Sequence, residues 1–142
     1  MNKARILVVD DDPKLTAVVS FVLKRYGAFL VREENRSFAI PAALEFSPDL
    51  IIIDADMPGN ESGDLAADLR QLPPFMGTPF IFLSALVASS ANGRTGEVFL
   101  AKPVDATLLV VAVRRLLSPE PKQMVPRRRF LPRSTVRRGS LD

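Results

Sequence analysis

Arg5-Ile6-Leu7-Val8-Val9-Asp10-Asp11-Asp12-Pro13 is apolar for four residues, acidic for three, and then broken by proline. An unbroken Ile/Leu/Val run of this length predicts a strand buried on both faces, as in a parallel sheet covered by helices. Leu50-Ile51-Ile52-Ile53-Asp54 repeats the pattern. Carboxylates at the ends of both runs then share one rim of the sheet, the rim where open α/β folds bind ligands. Several carboxylates held together repel one another and call for a counter-charge. A hard divalent cation is the usual answer.

Composition narrows the chemistry. With 142 residues, 47% of them apolar, the chain suffices for one globular core and little more. It contains no Cys and no His. Disulfides, thiolate nucleophiles, imidazole ligands and a phosphohistidine made by this chain are therefore excluded. No apolar run approaches the roughly 18 residues of a membrane span, and Asp10 to Asp12 cut the first one too short for a signal peptide. A cytoplasmic location is the expectation. The net charge of +3 is uneven: residues 118–142 carry seven basic and two acidic side chains, leaving the first 117 residues at −2. That last stretch, with prolines at 119, 121, 126 and 132, predicts a flexible basic tail over 119–142 behind a domain of residues 1–118. A solvated tail is its default reading; weak contact with nucleic acid or an acidic partner is the alternative.

Strand and helix signals alternate along the domain. Strands are expected near 5–9, 29–32, 50–53, 79–83 with Ser84 at the end, and 98–101. Asp12-Pro13 supplies a cap and a first-turn proline. Leu15, Val18, Val19, Val22, Leu23 and Tyr26 trace one helix face, which Gly27 closes. A second helix near 38–46 tolerates Pro41 only in its first turn. Asp49, after Pro48, reads as a turn residue. A third helix runs from 62 to 72, and Asp105 caps a last one through Leu117. Residues 86–97 have little amphipathic pattern and two glycines, so a short or frayed fourth helix is expected there. Strands alternating with helices predict a doubly wound parallel α/β sheet.

Asp10-Asp11, Asp54, Ser84 and Lys102 all fall at strand ends on the same rim. Phosphoryl transfer is the chemistry they can share. A carboxylate can attack phosphorus, and the moving phosphoryl group is mostly a charge problem met by a divalent cation and a fixed lysine. A hydroxyl at Ser84 suits a phosphate oxygen.

From about Lys3 to Leu117 the sequence resembles the receiver domain of two-component response regulators. The resemblance is carried by residues 6–13, by Pro48-Asp49-Leu50-Ile51-Ile52-Ile53-Asp54-Ala55-Asp56-Met57-Pro58-Gly59, by Leu83-Ser84-Ala85 and by Ala101-Lys102-Pro103. It implies a flavodoxin-like sheet of order 2-1-3-4-5, the order the chemotaxis member of the family is known for. It implies Asp54 as phospho-acceptor, with Asp10, Asp11 and Asp54 holding Mg²⁺ and Asp56 adding a backbone carbonyl. Ser84 matches the family's hydroxyl switch, Lys102 its phosphate-binding lysine, Phe99 its aromatic switch position. The Lys102-Pro103 bond is usually cis in the family. A histidine kinase or phosphotransfer protein is the implied donor.

The chain departs from the family pattern in places. Ser84 to Lys102 is shorter by about one helical turn. Phe99 lacks the hydroxyl of the commoner Tyr. Ser62-Gly63 stands for the frequent Asp-Gly. Nothing after Leu117 resembles an output domain, so the expected function is a stand-alone phospho-receiver rather than an enzyme, with at most self-phosphorylation and self-dephosphorylation. Two other readings compete. Asp54-Ala55-Asp56 also fits a haloacid-dehalogenase-type Mg²⁺-dependent phosphatase, although that motif normally follows the first strand. A degenerate receiver serving only as a docking module is the other. Finally, the last helix is apolar beyond one stripe: Leu108, Val110, Val111 and Leu117 flank the core face of Leu109, Ala112, Val113 and Leu116. Either the helix is deeply buried, or it and the fifth strand offer a surface to a protein partner or a second copy.

Overall fold

The computed structural model describes residues 3–57, 61–86, 91–92 and 96–118. The expected tail over 119–142 lies outside them. Strands β1 (Arg5–Val9), β2 (Leu30–Glu34), β3 (Leu50–Asp54), β4 (Phe80–Ser84), β5 (Ala91–Asn92) and β6 (Glu97–Ala101) form one sheet in the order β2-β1-β3-β4-β6-β5. All but β5 run parallel. The five parallel strands therefore have the expected 2-1-3-4-5 order, β6 being the fifth of them.

The unbroken apolar runs are explained by two-sided burial. Alternate residues of one strand feed opposite faces. Leu7, Val9, Ile51, Ile53, Phe80 and Phe82 pack with Ala39, Ala42 and Ala43 of α2 (Ala39–Phe46) and with Leu65, Ala66 and Leu69 of α3 (Glu61–Arg70). Ile6, Val8, Leu50, Ile52, Ile81, Leu83 and Leu100 pack on the other face with Val19 and Val22 of α1 (Pro13–Val22) and with Leu109, Val110 and Val113 of α4 (Ala106–Leu117). The result is a three-layer α/β/α sandwich in which every residue of β3 is buried.

Local signals set the helix ends. Asp12 caps α1, its carboxylate accepting from the Lys14 N–H at 2.9 Å, and Asp105 caps α4 by accepting from the Leu108 N–H at 2.9 Å. Pro41 is the third residue of α2, inside the first turn as required. Gly27 does not close the first helix in the expected way. The chain widens into a π-helical turn over Leu23–Gly27, and Ala28 takes the left-handed position at φ 59°. Gly27 is needed for another reason: a Cβ there would sit 2.2 Å from the Phe29 ring. Asp49 does more than turn the chain, since its carboxylate accepts from the Arg5 N–H at 2.8 Å and fixes the start of β1.

Two expectations need correction. Most of the stretch where a short or frayed fourth helix was expected lies outside the described residues, but within it Ala91–Asn92 forms a strand antiparallel to β6, pairing Ala91 with Phe99 and Asn92 with Val98. Residues without an amphipathic face gain nothing from packing as a helix, whereas β6 offers unpaired backbone groups on its outer side. The other correction concerns α4. Val110, read as widening the apolar surface beyond the core face, is buried against the sheet together with Val113 of that face. The apolar residues that α4 does expose are Leu108 and Val111. None of the described helices is long and apolar enough to cross a membrane.

This division of α4 is measurable. Val113→Ala should cost about 2–3 kcal/mol, two buried methyl groups plus the cavity they leave, while Val111→Ala should change stability by no more than about 0.5 kcal/mol. Urea unfolding of both variants decides; equal losses would mean that Val111 is also covered.

Candidate functional site

The parallel register brings the strand ends level. Val9 lies beside Ile53, Asp54 beside Leu83, and Ser84 beside Ala101. Ladder bonds continue one residue beyond the strands: Asp10 N–H donates to Glu34 O at 3.1 Å, Ala55 N–H to Leu83 O at 2.8 Å, and Lys102 N–H to Ser84 O at 3.0 Å. Residues far apart in sequence are thereby fixed on one rim by backbone geometry. Asp10, Asp54 and Ser84 are buried there, Lys102 is half-buried, and Asp11 is exposed.

Lys102 joins the central group. Its Nζ stands 2.7 Å from Asp54 Oδ1 and 3.2 Å from Asp56 Oδ2. The Asp56 N–H donates to the same Asp54 Oδ1 at 2.9 Å, closing a side-chain turn of the kind aspartates make two residues on. The Lys102-Pro103 bond is cis, as the resemblance implied. Phe99 is half-buried and stacks on Phe82, with ring centroids 4.9 Å apart.

The parts played by two residues, Asp56 and Arg36, were missed in the sequence. Asp56 was read only as a carbonyl donor. Its carboxylate in fact accepts from Ser84 Oγ at 2.9 Å and from the Ala85 N–H at 2.8 Å, in addition to facing Lys102. The Asp-x-Asp spacing at a strand end was a visible hint, because the second carboxylate has to lie near the first. Arg36 had no such hint. Its N–H donates to Asp11 Oδ1 at 3.1 Å, and its guanidinium lies 3.6 Å from Asp11 Oδ2. That proximity exists only because β2 pairs with β1.

Charge is unevenly compensated. Burial pushes the Asp10 carboxyl up to about 6, and its hydrogen bond with Asp54 and the Asp54 charge push the same way. Its Oδ2 is buried with no hydrogen-bond partner. For Asp56, burial opposes ionisation, but the Ala85 N–H, the Ser84 hydroxyl and Lys102 outweigh it and hold the carboxyl below its usual value. Burial likewise opposes the charge on Lys102, and hydrogen bonds to Asp54 and Asp56 reverse the sign, leaving the ammonium above its usual value. Beside Asp10 opens an acidic cleft of about 350 Å³, lined by Asp11, Glu33 and Glu34 among others.

A topological rim carrying two acidic strand ends, a hydroxyl and a lysine before a cis proline defines a class of signalling domain, and comparison with known proteins bears that out. The response regulator receiver domain model matches residues 6–114, and the chain belongs to that family. It is 31% identical over 121 residues to the transcriptional regulatory protein ResD of Bacillus subtilis, a match covering 82% of this chain and 49% of ResD. It is 32% identical over 114 residues to an uncharacterised 14.6 kDa protein of Leptolyngbya boryana, covering 78% of this chain and 87% of that one. Among solved structures, a response regulator from Desulfuromonas acetoxidans superposes with a TM-score of 0.65 at 30% identity, covering 80% of this chain and 96% of that one. The chain spans about half the length of the transcriptional regulators it matches. Receivers are modules of two-component signalling, and the phosphatase reading of Asp54-Ala55-Asp56 is not favoured: the motif ends the third strand of a receiver sheet, not the first strand.

The raised Asp10 group has a testable consequence for stability. Below about pH 4 Asp10 is protonated in both folded and unfolded chains, and no penalty exists. Between that pH and about 6 the unfolded chain releases the proton while the folded one retains it, so stability falls as pH rises. Above that range the loss is complete, about 1–3 kcal/mol. Asp10→Asn should therefore stabilise the metal-free protein at pH 7.5 and have little effect at pH 3.5. Denaturant unfolding at both pH values checks this; a gain that is the same at both would remove the ionisation argument.

Proposed function

We propose that this domain accepts a phosphoryl group on Asp54 from a histidine kinase or phosphotransfer protein and thereby changes its affinity for a downstream partner. The observation that carries the reading is the convergence of Lys102 on Asp54, with the Ser84 hydroxyl and the Ala85 N–H gathered beside the same lysine. An Asp54 carboxylate oxygen attacks the phosphorus of the phosphoimidazole. The O–P bond forms, the N–P bond breaks, and its electron pair returns to the imidazole nitrogen, which then takes up a proton. Lys102 balances charge on the phosphoryl oxygens as they leave the donor. The same arrangement supports self-phosphorylation by small phosphodonors and slow hydrolysis of the resulting acyl phosphate.

Asp10, Asp11, Asp54 and the Asp56 carbonyl are the residues that would hold Mg²⁺. They fit the ion: the donors are all hard oxygens, and buried Asp10 Oδ2 lacks a partner. Among the described residues no three acidic side chains are gathered closely enough to hold a metal ion as they stand; Mg²⁺ commonly completes its shell with waters. When bound, Mg²⁺ supplies charge neutralisation to the carboxylates and the transferring group.

Ser84 and Phe99 are the proposed switch. Ser84 ends β4 and Phe99 lies in the strand paired with it, stacked on Phe82 two residues before Ser84. A displacement of the hydroxyl therefore reaches an aromatic in direct contact with the core. The expectation of a protein partner or second copy on α4 and the fifth parallel strand retains only Leu108 and Val111 as exposed apolar support on that helix.

Acetyl phosphate with Mg²⁺ should add one phosphoryl group, located at Asp54 by mass spectrometry. Asp54→Asn should abolish it, because an amide is no nucleophile, and Lys102→Ala should slow it about 100-fold. An Asp54→Asn protein labelled to wild-type extent would overturn the assignment.

A further inference from the structure

The Asp56 carboxylate is held by three donors at once: the Ser84 hydroxyl at 2.9 Å, the Ala85 N–H at 2.8 Å and the Lys102 ammonium at 3.2 Å. A hydroxyl, a backbone N–H and an ammonium converging on one point make an anion cradle, of the type that charge-assisted hydrogen bonds make strong. Lys102 is shared with Asp54, two residues earlier in the chain. Lys102 is therefore within reach of an anionic group attached to Asp54, and the Ser84 hydroxyl and Ala85 N–H follow directly on Leu83, the residue that Asp54 pairs with. We infer that Asp56 is a built-in competitor for the phosphoryl group: its carboxylate fills the oxyanion cradle before phosphorylation and has to be displaced for the phosphoryl oxygens to enter. This rests on the reading of Asp54 as the acceptor.

The local structure supports displacement as a discrete event. A hydroxyl carries one proton, and that of Ser84 is given to Asp56, while its oxygen accepts from the Leu86 N–H at 3.0 Å. A phosphoryl oxygen can take that proton only if Asp56 gives it up. The Asp56 side chain is 25% exposed, so its carboxylate borders solvent into which it can turn. Its backbone N–H, bound to Asp54 Oδ1, anchors the residue while the side chain turns away. The competition sets how readily the domain charges: the donors are satisfied before and after, and the net gain on phosphorylation is the difference between two anions in one cradle rather than the whole of the phosphoryl interaction.

The test is the rate of labelling with acetyl phosphate at saturating Mg²⁺. In each event an Asp54 oxygen bonds to phosphorus, the bond from phosphorus to the acetyl oxygen breaks, and acetate leaves with the electron pair. Asp56→Ala should label about tenfold faster than wild type, since the cradle is then empty of its charge-assisted partner. Asp56→Asn, which keeps the shape and an acceptor oxygen but loses the charge facing Lys102, should fall between and serves if the alanine variant does not fold. Glu33→Gln removes one negative charge from the neighbouring acidic cleft without touching the cradle and should change the rate less than twofold. Amide spectra give a second readout: the Ala85 and Leu86 signals should move on adding beryllofluoride to wild type, and should already be moved in Asp56→Ala alone. If no protein is labelled, wild type included, the acceptor reading itself falls. If wild type is labelled but the Asp56 variants are no faster than Glu33→Gln, the acceptor reading stands and the competitor is disproved.

Discussion

Parallel strands that stop at one level are the constraint on which the rest of this protein depends. Asp10, Asp54, Ser84 and Lys102 stand at the ends of four different strands or one residue past them, and no contact near them in sequence would bring them together. Register does so: Val9 beside Ile53, Asp54 beside Leu83, Ser84 beside Ala101. The register in turn is enforced by burial. Because the sheet is covered on both faces, a one-residue slip would exchange the residues facing α2 and α3 for those facing α1 and α4, two sets of different shape. The apolar runs therefore do more than form a core; their packing on two sides determines how closely the reactive groups meet.

That meeting leaves an unequal distribution of charge. One ammonium, Lys102, serves both Asp54 and Asp56, and Arg36 lies against Asp11. Asp10 is the group without a counter-charge, buried, partnerless at Oδ2 and raised to about 6. Fold stability and chemistry oppose each other here. The burial that aligns Asp10 with Asp54 also penalises its ionised form, and a bound cation or a retained proton relieves that penalty. Residues that break a local rule of burial in this way are where function is expected to lie.

The sequence made the sheet and most of the rim legible because both follow from short-range pattern. Four of the five parallel strands were placed to within a residue or so, and Asp12 and Asp105 cap helices as their positions suggested. What escaped depended on long-range geometry. Arg36 meets Asp11 only through the pairing of β1 with β2, and Asp49 fixes the start of β1 only through the alignment of β3 beside it. On α4 the apolar content was visible, but its width on the helix gave no measure of how far the sheet extends beneath it. Val110 and Val113 are covered because Ile6, Leu50, Ile81 and Leu100 present a broad surface to them. The failure at 91–92 has a different origin: a stretch with no strong propensity takes whatever its neighbour offers.

That neighbour is β6, and its position explains why the weak stretch matters. β6 carries Phe99 and leads directly into Lys102. On one side it pairs with β4 over five positions, from Phe80 with Glu97 to Ser84 with Ala101. On the other side β5 covers the backbone at Val98 and Phe99. Arg70 pairs with buried Glu97 at the opposite end of the strand, and its guanidinium lies 4.4 Å over the Phe80 ring. A strand fastened at its start, its middle and its paired edge presents Lys102 as a fixed charge rather than a tethered one. The phosphoryl chemistry proposed for Lys102 gains from this, since a lysine that must first be ordered gives part of its electrostatic gain back as lost freedom.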